Sequence, residues 1–292
     1  MITVFTPTYN RAYIIPNLYR SLCNQTNQEF EWLVVDDGSV DNTEFLLSSF
    51  ITENKIRIRY IKQINGGKHR AINRGVQEAQ GELFFIVDSD DQLADNAIER
   101  VSYHYAGVKN DSSFGGVGGM RAYFSGERIG GEANFDKLDC TLLELRYLYG
   151  VRGDLAEIYK TSVLKEFPFP EIDGEKFCPE ALVWYGIAQK YKLRFFNEKI
   201  YLCEYLSDGL TAKILKIRKQ SPIASMMTYS IKYGSEVPVI EKIKSGINFW
   251  RFFFCPSSYE FAGKMKLISK YSIFLFFLFG FIFYLKDSKH GR

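Results

Sequence analysis

The run Phe84-Phe85-Ile86-Val87 ends in Asp88-Ser89-Asp90-Asp91, three carboxylates within four residues. Carboxylates at i and i+2 in a loop can converge on one hard cation, and Mg²⁺ or Mn²⁺ prefers oxygen ligands of this kind. The segment before them, Leu83 to Val87, is apolar without alternation, the pattern of a parallel strand buried on both faces. Such a strand delivers its loop to the carboxyl edge of a sheet, where open α/β sheets bind ligands. Acids here could also cap the helix near Ala94, a job that suits Asp91. Three together exceed what a cap needs, and the pattern reads as a metal site. A second pair, Asp36-Asp37, closes the apolar run Trp32-Leu33-Val34-Val35, although Asp-Gly before Ser39 is a turn signal that accounts for one of the two acids. Gly66-Gly67-Lys68 opens a helical stretch. A lysine in a first helical turn is unfavourable unless an anion is present, so Lys68 points to phosphate.

The frame that must hold these residues is a βα alternation. Ile2–Thr6 reads as a strand stopped by Pro7, followed by the loop Thr8-Tyr9-Asn10-Arg11 and a helix over 15–25. Trp32–Val35 is the second strand. Asp41, three residues before Glu44, has capping-box spacing and opens a helix to about Phe50. Ile56–Ile61 alternates as a third strand, a helix runs from about His69 to Ala79, and the fourth strand leads to a helix over 94–105. The pattern predicts a Rossmann-like, mostly parallel sheet flanked by helices. Parallel strands share a direction, so Pro7-Thr8-Tyr9, both acidic loops and Lys68 fall on one edge. Together they describe a nucleotide-diphosphate pocket: a carboxylate for a base edge or ribose hydroxyl, a cation on Asp90 to bridge the phosphates, and Lys68 to neutralise them.

Beyond residue 110 the pattern loosens. Gly115-Gly116-Val117-Gly118-Gly119 leads into a strand at Met120–Phe124, and Glu157–Tyr159 precedes a helix at Thr161–Glu166. Pro179 starts a helix over Glu180–Tyr191, and Leu193–Phe196 with Ile200–Tyr205 form a closing pair of strands. Three regions result: a nucleotide-binding half (1–110), an acceptor and catalytic half (111–211), and a basic, aromatic helical extension (212–292). Arg152, Asp154 and Asp208-Gly209-Leu210-Thr211 are candidates for shaping the acceptor or diphosphate side.

Some classes are excluded. With 37 basic against 34 acidic residues the net charge is +3, too small a field for nucleic acid. No glycine fingerprint follows the first strand, so dinucleotide binding is ruled out, and Gly66-Gly67-Lys68 lacks the upstream spacing of a P-loop. A nucleotidyltransferase would need a glycine-rich basic loop where Thr8-Tyr9-Asn10-Arg11 stands. The five cysteines show no metal-ligand spacing and read as reduced thiols; with no charged leader before the first strand, the expected location is the cytoplasm.

Taken in order, Thr6-Pro7-Thr8-Tyr9-Asn10-Arg11, Val34-Val35-Asp36-Asp37-Gly38-Ser39 with Asp41 and Thr43, Asn65-Gly66-Gly67-Lys68, Ala71, Asn73, Gly75, Gly81-Glu82 and Asp88-Ser89-Asp90-Asp91 resemble the motifs of family 2 glycosyltransferases with a GT-A fold. The resemblance covers roughly the first hundred residues, and in this order and spacing it is specific. It implies a nucleotide-sugar donor, UDP-sugar by default, a divalent metal (Mn²⁺ or Mg²⁺) and inversion at the anomeric carbon. The implied donor-binding residues are Pro7, Thr8, Tyr9, Arg11, Asp36, Asp37, Lys68, Asp88 and Ser89. Asp37 is preferred to Asp36 for the nucleobase, Asp88 faces the ribose side, and Asp90 holds the metal. The family's general base belongs to a Glu-Asp pair ahead of a Trp-containing apolar stretch. In Cys178-Pro179-Glu180-Ala181-Leu182-Val183-Trp184 the pair is reduced to Glu180, with Pro179 in place of the first acid. A helix-dipole role for Glu180 is worth only about 0.3–1 kcal/mol; a first-turn acid can also take the acceptor hydroxyl proton. The missing first acid is the one support for a rival reading, a non-catalytic nucleotide-sugar-binding or membrane-scaffold protein.

The tail carries Ile273–Leu285, thirteen uncharged residues between Lys270 and Lys286. As a helix it spans about 20 Å, short of the roughly 30 Å hydrocarbon core. A buried core helix is the alternative, but the segment is apolar all round, unlike a surface helix of a globular domain. Lys264, Lys266 and Lys270 interleaved with Met265, Leu267 and Ile268 suit an anionic membrane surface, so membrane-surface attachment or shallow insertion is expected. With the family resemblance this points to a saccharide or lipid-linked acceptor, as in bacterial surface-polysaccharide assembly.

Overall fold

Three strand–helix units and a fourth strand build one half of a sheet, as the alternation of apolar runs and amphipathic stretches requires. The structure, a computed structural model, describes residues 1–204 and 214–289; the expected Asp208–Thr211 loop lies outside the described residues. Strands β1 (Ile2–Thr8), β2 (Phe30–Asp36), β3 (Ile58–Lys62) and β4 (Leu83–Ile86) pair in parallel in the order β3-β2-β1-β4. Helices α1 (Ile15–Cys23), α2 (Thr43–Glu53) and α3 (Lys68–Glu78) connect them. Phe5, Leu33, Val34 and Phe85 are fully buried, which accounts for the unbroken apolar runs.

β1 does not stop at Pro7. It continues along β2 as far as Thr8, opposite Asp36, whereas its pairing with β4 ends at Phe5 and Ile86. Val87 donates its N–H to the Phe5 carbonyl, and the next rung would need an N–H that Pro7 lacks. The ladder therefore ends there, and the chain after β4 peels away as the acidic loop.

The remainder of the sheet adds antiparallel pairs to the expected mostly parallel arrangement. β5 (Gln92–Leu93) is a short unforeseen strand, and α4 (Ala97–Ala106) starts later than Ala94. β6 (Phe114–Ala122), β7 (Lys137–Cys140), α5 (Leu142–Tyr147), β8 (Leu155–Lys160) and α6 (Thr161–Glu166) follow, and β9 (Lys192–Leu202) closes this half. The full order is β3-β2-β1-β4-β8-β6-β9-β5, with β7 on β9. β8 runs antiparallel to β4 and β6, and β5 and β7 antiparallel to β9, so the sheet is mixed. The glycine run lies inside β6 instead of before it. A Cβ on Gly116, where φ is +153°, would stand 2.0 Å from the Ile158 carbonyl oxygen of β8. Glycine is required for that approach, and its low strand propensity hid the strand. The two expected closing strands are one: polar Asn197-Glu198 marks a bulge, where the register against β6 steps from Gly118–Phe195 to Met120–Lys199.

The capping box expected at Asp41 and Glu44 is absent. Asp41 accepts the N–H groups of Ala12 and Thr43 and the Thr43 hydroxyl, a local turn that outcompetes the helix cap. A capping box does form at Thr141 and Glu144, opening α5.

The chain divides into two compact units, Met1–Pro168 with Lys190–Glu204, and Phe169–Gln189 with Tyr205–Arg292. Residues 169–189, assigned from sequence to the first domain, thus group with the C-terminal helices. The second unit contains α7 (Glu180–Ala188), α8 (Ile214–Gln220), α9 (Pro222–Gly234), α10 (Val239–Phe253), α11 (Phe261–Met265), a 3₁₀ turn over Tyr271–Phe276, and α12 (Phe277–Lys289). Its core is aromatic: Phe249, Trp250 and Phe252 are buried, and the Trp250 indole N–H donates to the Ile273 carbonyl at 2.7 Å. Buried Glu175 accepts the N–H groups of Ile223 (2.7 Å) and Ala224 (3.0 Å) at the start of α9, satisfying donors that a helix terminus leaves open.

Candidate functional site

In the first unit, the carboxyl ends of β1, β2 and β4 and the loops after them bring together Pro7 to Arg11, Asp36 and Asp37, and Asp88 to Asp91, with the N-terminus of α3 beside them. Each loop is held by the next. Asp36 is fully buried; it accepts the Ser39 N–H (2.7 Å) and the Tyr60 hydroxyl (2.7 Å) and so shapes the turn after β2. Ser39 in turn accepts the Asn10 N–H (2.8 Å), the Asn10 side chain accepts the Val40 N–H (2.9 Å), and Asn10 takes a left-handed φ of +54°. Asparagine tolerates that conformation better than most residues.

Asp37 organises the glycine loop. Its carboxylate accepts the Gly66 N–H (2.9 Å), the Gly67 N–H (2.8 Å) and the Gln63 amide (2.8 Å). Asn65 adds a bond to its carbonyl (2.9 Å). Gly67 caps α3 with φ +100°, a conformation open to glycine, and Lys68 enters the first turn. A carboxylate offers about four lone-pair sites, and three are used here, leaving capacity for one further donor. His69 is buried in α3. Thr8 is buried too, and its hydroxyl has no hydrogen-bond partner among the described residues, which is costly unless a ligand supplies one. The Tyr9 ring is half exposed beside it.

Cations face the acidic loop. The Lys68 ammonium lies 2.7 and 2.9 Å from the two oxygens of Asp88, and an Arg11 guanidinium nitrogen lies 3.8 Å from Asp90. Burial alone would raise the Asp88 pKa, but the Lys68 charge and hydrogen bond, with Arg121 and Arg11, hold it below the usual range. Asp90 goes the other way, raised first by burial and then by the charge of Asp88. Asp91 is pushed up to about 7, by burial first and then by Asp88. Ser89 is buried within the loop.

Two residues that sequence reasoning missed fix this loop from beneath. The Tyr201 hydroxyl on β9 accepts the Asp88 N–H (3.0 Å) and donates to Asp91 (2.6 Å). The Arg121 guanidinium on β6 sits 4.1 Å over the Tyr201 ring, its Nε donating to the Leu155 carbonyl at 2.8 Å. The one available signal was a lone arginine ending a glycine-rich apolar strand; its meeting with Tyr201 depends on the β6–β9 register.

No group of three or more His, Cys, Asp or Glu side chains is arranged to hold a metal ion among the described residues. A cation shared with phosphate oxygens needs only one or two protein carboxylates. Asp90 suits that arrangement: it is partly exposed, and its carboxylate sits in the negative field of Asp88, which a dication would relieve. The residues fit such an ion.

Glu180 lies in the second unit, half-buried in the first turn of α7, with Trp184 behind it packed edge-on against Phe169 at 5.9 Å. Arg152 and Asp154 are exposed in the loop before β8.

This architecture, an α/β mixed sheet flanked by helices, is that of GT-A glycosyltransferases. The structure of Staphylococcus aureus TarS residues 1–349 in complex with UDP-GlcNAc superposes with a TM-score of 0.62 at 18% identity, covering 100% of this chain and 92% of that one. Residues 3–119 match the model of glycosyl transferase family 2. An uncharacterized glycosyltransferase of Haemophilus influenzae is 30% identical over 187 residues, 61% of this chain and 69% of that protein. The chain belongs to glycosyl transferase family 2. It is also 26% identical over 195 residues to the Campylobacter jejuni GalNAc(5)-diNAcBac-PP-undecaprenol β-1,3-glucosyltransferase, covering 65% of this chain and 60% of that enzyme. Of three curated bacterial relatives, that enzyme among them, the chain spans 33%, 60% and 31% of the length.

Proposed function

We propose that this protein is an inverting glycosyltransferase that moves a sugar from a nucleotide-diphosphate donor, UDP-sugar by default, to a saccharide or lipid-linked saccharide acceptor. The observation that carries the reading is the Asp37-anchored Gly66-Gly67-Lys68 loop meeting the Asp88–Asp90 loop at one sheet edge. It gathers a buried carboxylate with one lone-pair site left, a lysine and an acidic loop in one place. The UDP-GlcNAc complex of TarS and the undecaprenol-linked substrate named for the Campylobacter enzyme support the donor and acceptor classes.

On this reading Thr8 and Tyr9 flank the nucleoside, and Asp37, with one lone-pair site left, takes the nucleobase in preference to the enclosed Asp36. Asp88 faces the ribose. Lys68 and Arg11, which neutralise the acidic loop without ligand, turn to the diphosphate when donor binds. A divalent ion held by Asp90 would stabilise charge on the departing diphosphate. Glu180 accepts the acceptor hydroxyl proton as that oxygen attacks the anomeric carbon from the face opposite the leaving group, and the C1–O bond to the diphosphate breaks. Glu180→Gln tests the assignment: sugar transfer should fall by about 10²–10⁴-fold while the donor affinity holds. Unchanged transfer removes Glu180 from the mechanism, and absence of transfer in wild type with donor bound favours a non-catalytic binding protein.

A further inference from the structure

A helix packed on one face normally turns polar residues outward on the other, and the C-terminal segment of the second unit does not. One stripe of it, Phe274, Phe277, Phe281 and Tyr284, packs on α10 through Trp250 and Phe254, with ring centroids 4.8–5.7 Å apart. The approach is close and fixed. A Cβ on Gly280 would stand 2.3 Å from Trp250 Cβ, and Arg251 pairs with Asp287 at 2.6 Å. The opposite stripe, at i, i+3, i+4 and i+7 spacing, is Leu275, Leu278, Phe279 and Ile282, exposed by 75, 63, 55 and 53%. Across Tyr271–Ser288 the mean hydropathy is 1.4 and 11% of the segment is buried. An apolar face of this extent exposed to water marks an interaction surface.

We propose that this stripe docks the protein in the plane of an anionic lipid bilayer, with the segment lying at the headgroup boundary instead of crossing it. Charge argues for lipid: Lys266, Lys270 and Lys286 bracket the stripe and are exposed, while Asp287, the acid within the segment, is paired with Arg251. Lys264, expected with them, is instead buried, its ammonium donating to the Phe253 and Cys255 carbonyls. Cations at the margins of an apolar face match an anionic leaflet. Geometry argues against a span. The apolar stretch 271–285, six residues in the 3₁₀ turn and nine in α12, is about 25 Å long, below the roughly 30 Å hydrocarbon core. Along its inner stripe lies α10, which carries Glu241, Lys242, Lys244 and Arg251 and could not follow it into hydrocarbon.

Flotation of the full chain with vesicles tests this, using phosphatidylcholine alone and phosphatidylcholine mixed with phosphatidylglycerol. No donor or acceptor is needed, so failure here leaves the glycosyltransferase reading standing. The protein should float with the anionic vesicles, far less with the neutral ones, and be released by alkaline carbonate. The double variant Leu278→Gln/Ile282→Gln, at solvent-exposed positions, should keep its melting temperature and lose at least roughly tenfold in partitioning. Protein left unbound by both vesicles would overturn the proposal, as would resistance to carbonate, which means a span. A dimer in solution that the double variant dissociates, with no vesicle binding, would assign the stripe to a second copy of this chain.

Discussion

Tyr201→Phe isolates what the buried network does for the acidic loop. The substitution keeps the ring, packed 6.2 Å from Phe85 and beneath Arg121, and deletes one oxygen. That oxygen accepts the Asp88 N–H at 3.0 Å and donates to Asp91 at 2.6 Å. Leaving a part-buried donor and a buried carboxylate oxygen without partners costs about 1–3 kcal/mol each, so roughly 2–6 kcal/mol together. For a unit of this size each kcal/mol moves the melting temperature by about 2–4 °C, and a fall of roughly 4–24 °C is expected. Binding should suffer as well. One or two loop residues would have to be reordered at about 1–2 kcal/mol each, which is about fivefold or more in the affinity for a nucleoside diphosphate. Thermal melts and titration calorimetry with UDP and Mn²⁺ read the two effects separately. A variant that melts within about 2 °C of wild type and binds UDP equally would refute the positioning role of Tyr201.

Further outcomes are specific to other parts of the fold. Gly116→Ala, which sets a methyl against the Ile158 carbonyl at 2.0 Å, should cost about 3 kcal/mol or more, read as loss of folded protein by circular dichroism. Asp37→Asn puts an amide where two backbone N–H groups need acceptors, so UDP affinity should fall at least about tenfold; an unchanged affinity would show that the glycine loop needs no anchor. Glu198 has its pKa lowered first by its hydrogen bond to Arg100 and then by His104, against burial. A lowered folded-state pKa contributes stability above the unfolded value, lost as pH falls through the folded one. Glu198→Gln should therefore destabilise near neutral pH and converge with wild type well below 4.5, as denaturant titrations at the two conditions would show.

The first hundred residues were legible because buried parallel strands announce themselves as unbroken apolar runs, and the loops after them must share an edge. Asp36, Asp37, Lys68, Asp88 and Asp90 were placed at that edge by direction alone. What those residues touch was not legible: that Asp37 holds Gly66 and Gly67, or that Lys68 pairs with Asp88, depends on loop conformations set by tertiary contacts. Past residue 110 two local signals pointed elsewhere. The glycines of β6 carry no side-chain pattern, because their function is to let β8 and β9 come close. The polar interruption of β9 at Asn197-Glu198 looked like a turn between two strands; Glu198 is instead held by Arg100 at 2.5 Å on α4. Tyr201 and Arg121 lie 80 residues apart in sequence, so no local pattern could pair them. The C-terminal segment reads from sequence as apolar on all sides; its division into a packed and an exposed stripe depends on the position of α10.

Melting wild type and Asp90→Ala with UDP, GDP, CDP and ADP, each with and without Mn²⁺, probes the proposed metal-assisted nucleotide-sugar pocket at the carboxyl edge of β1, β2 and β4. One nucleoside diphosphate, UDP by default, should raise the melting temperature of wild type in a manganese-dependent way, and Asp90→Ala should lose this stabilisation. No stabilisation of folded wild type by any of the four, or equal stabilisation of Asp90→Ala with Mn²⁺, would contradict it.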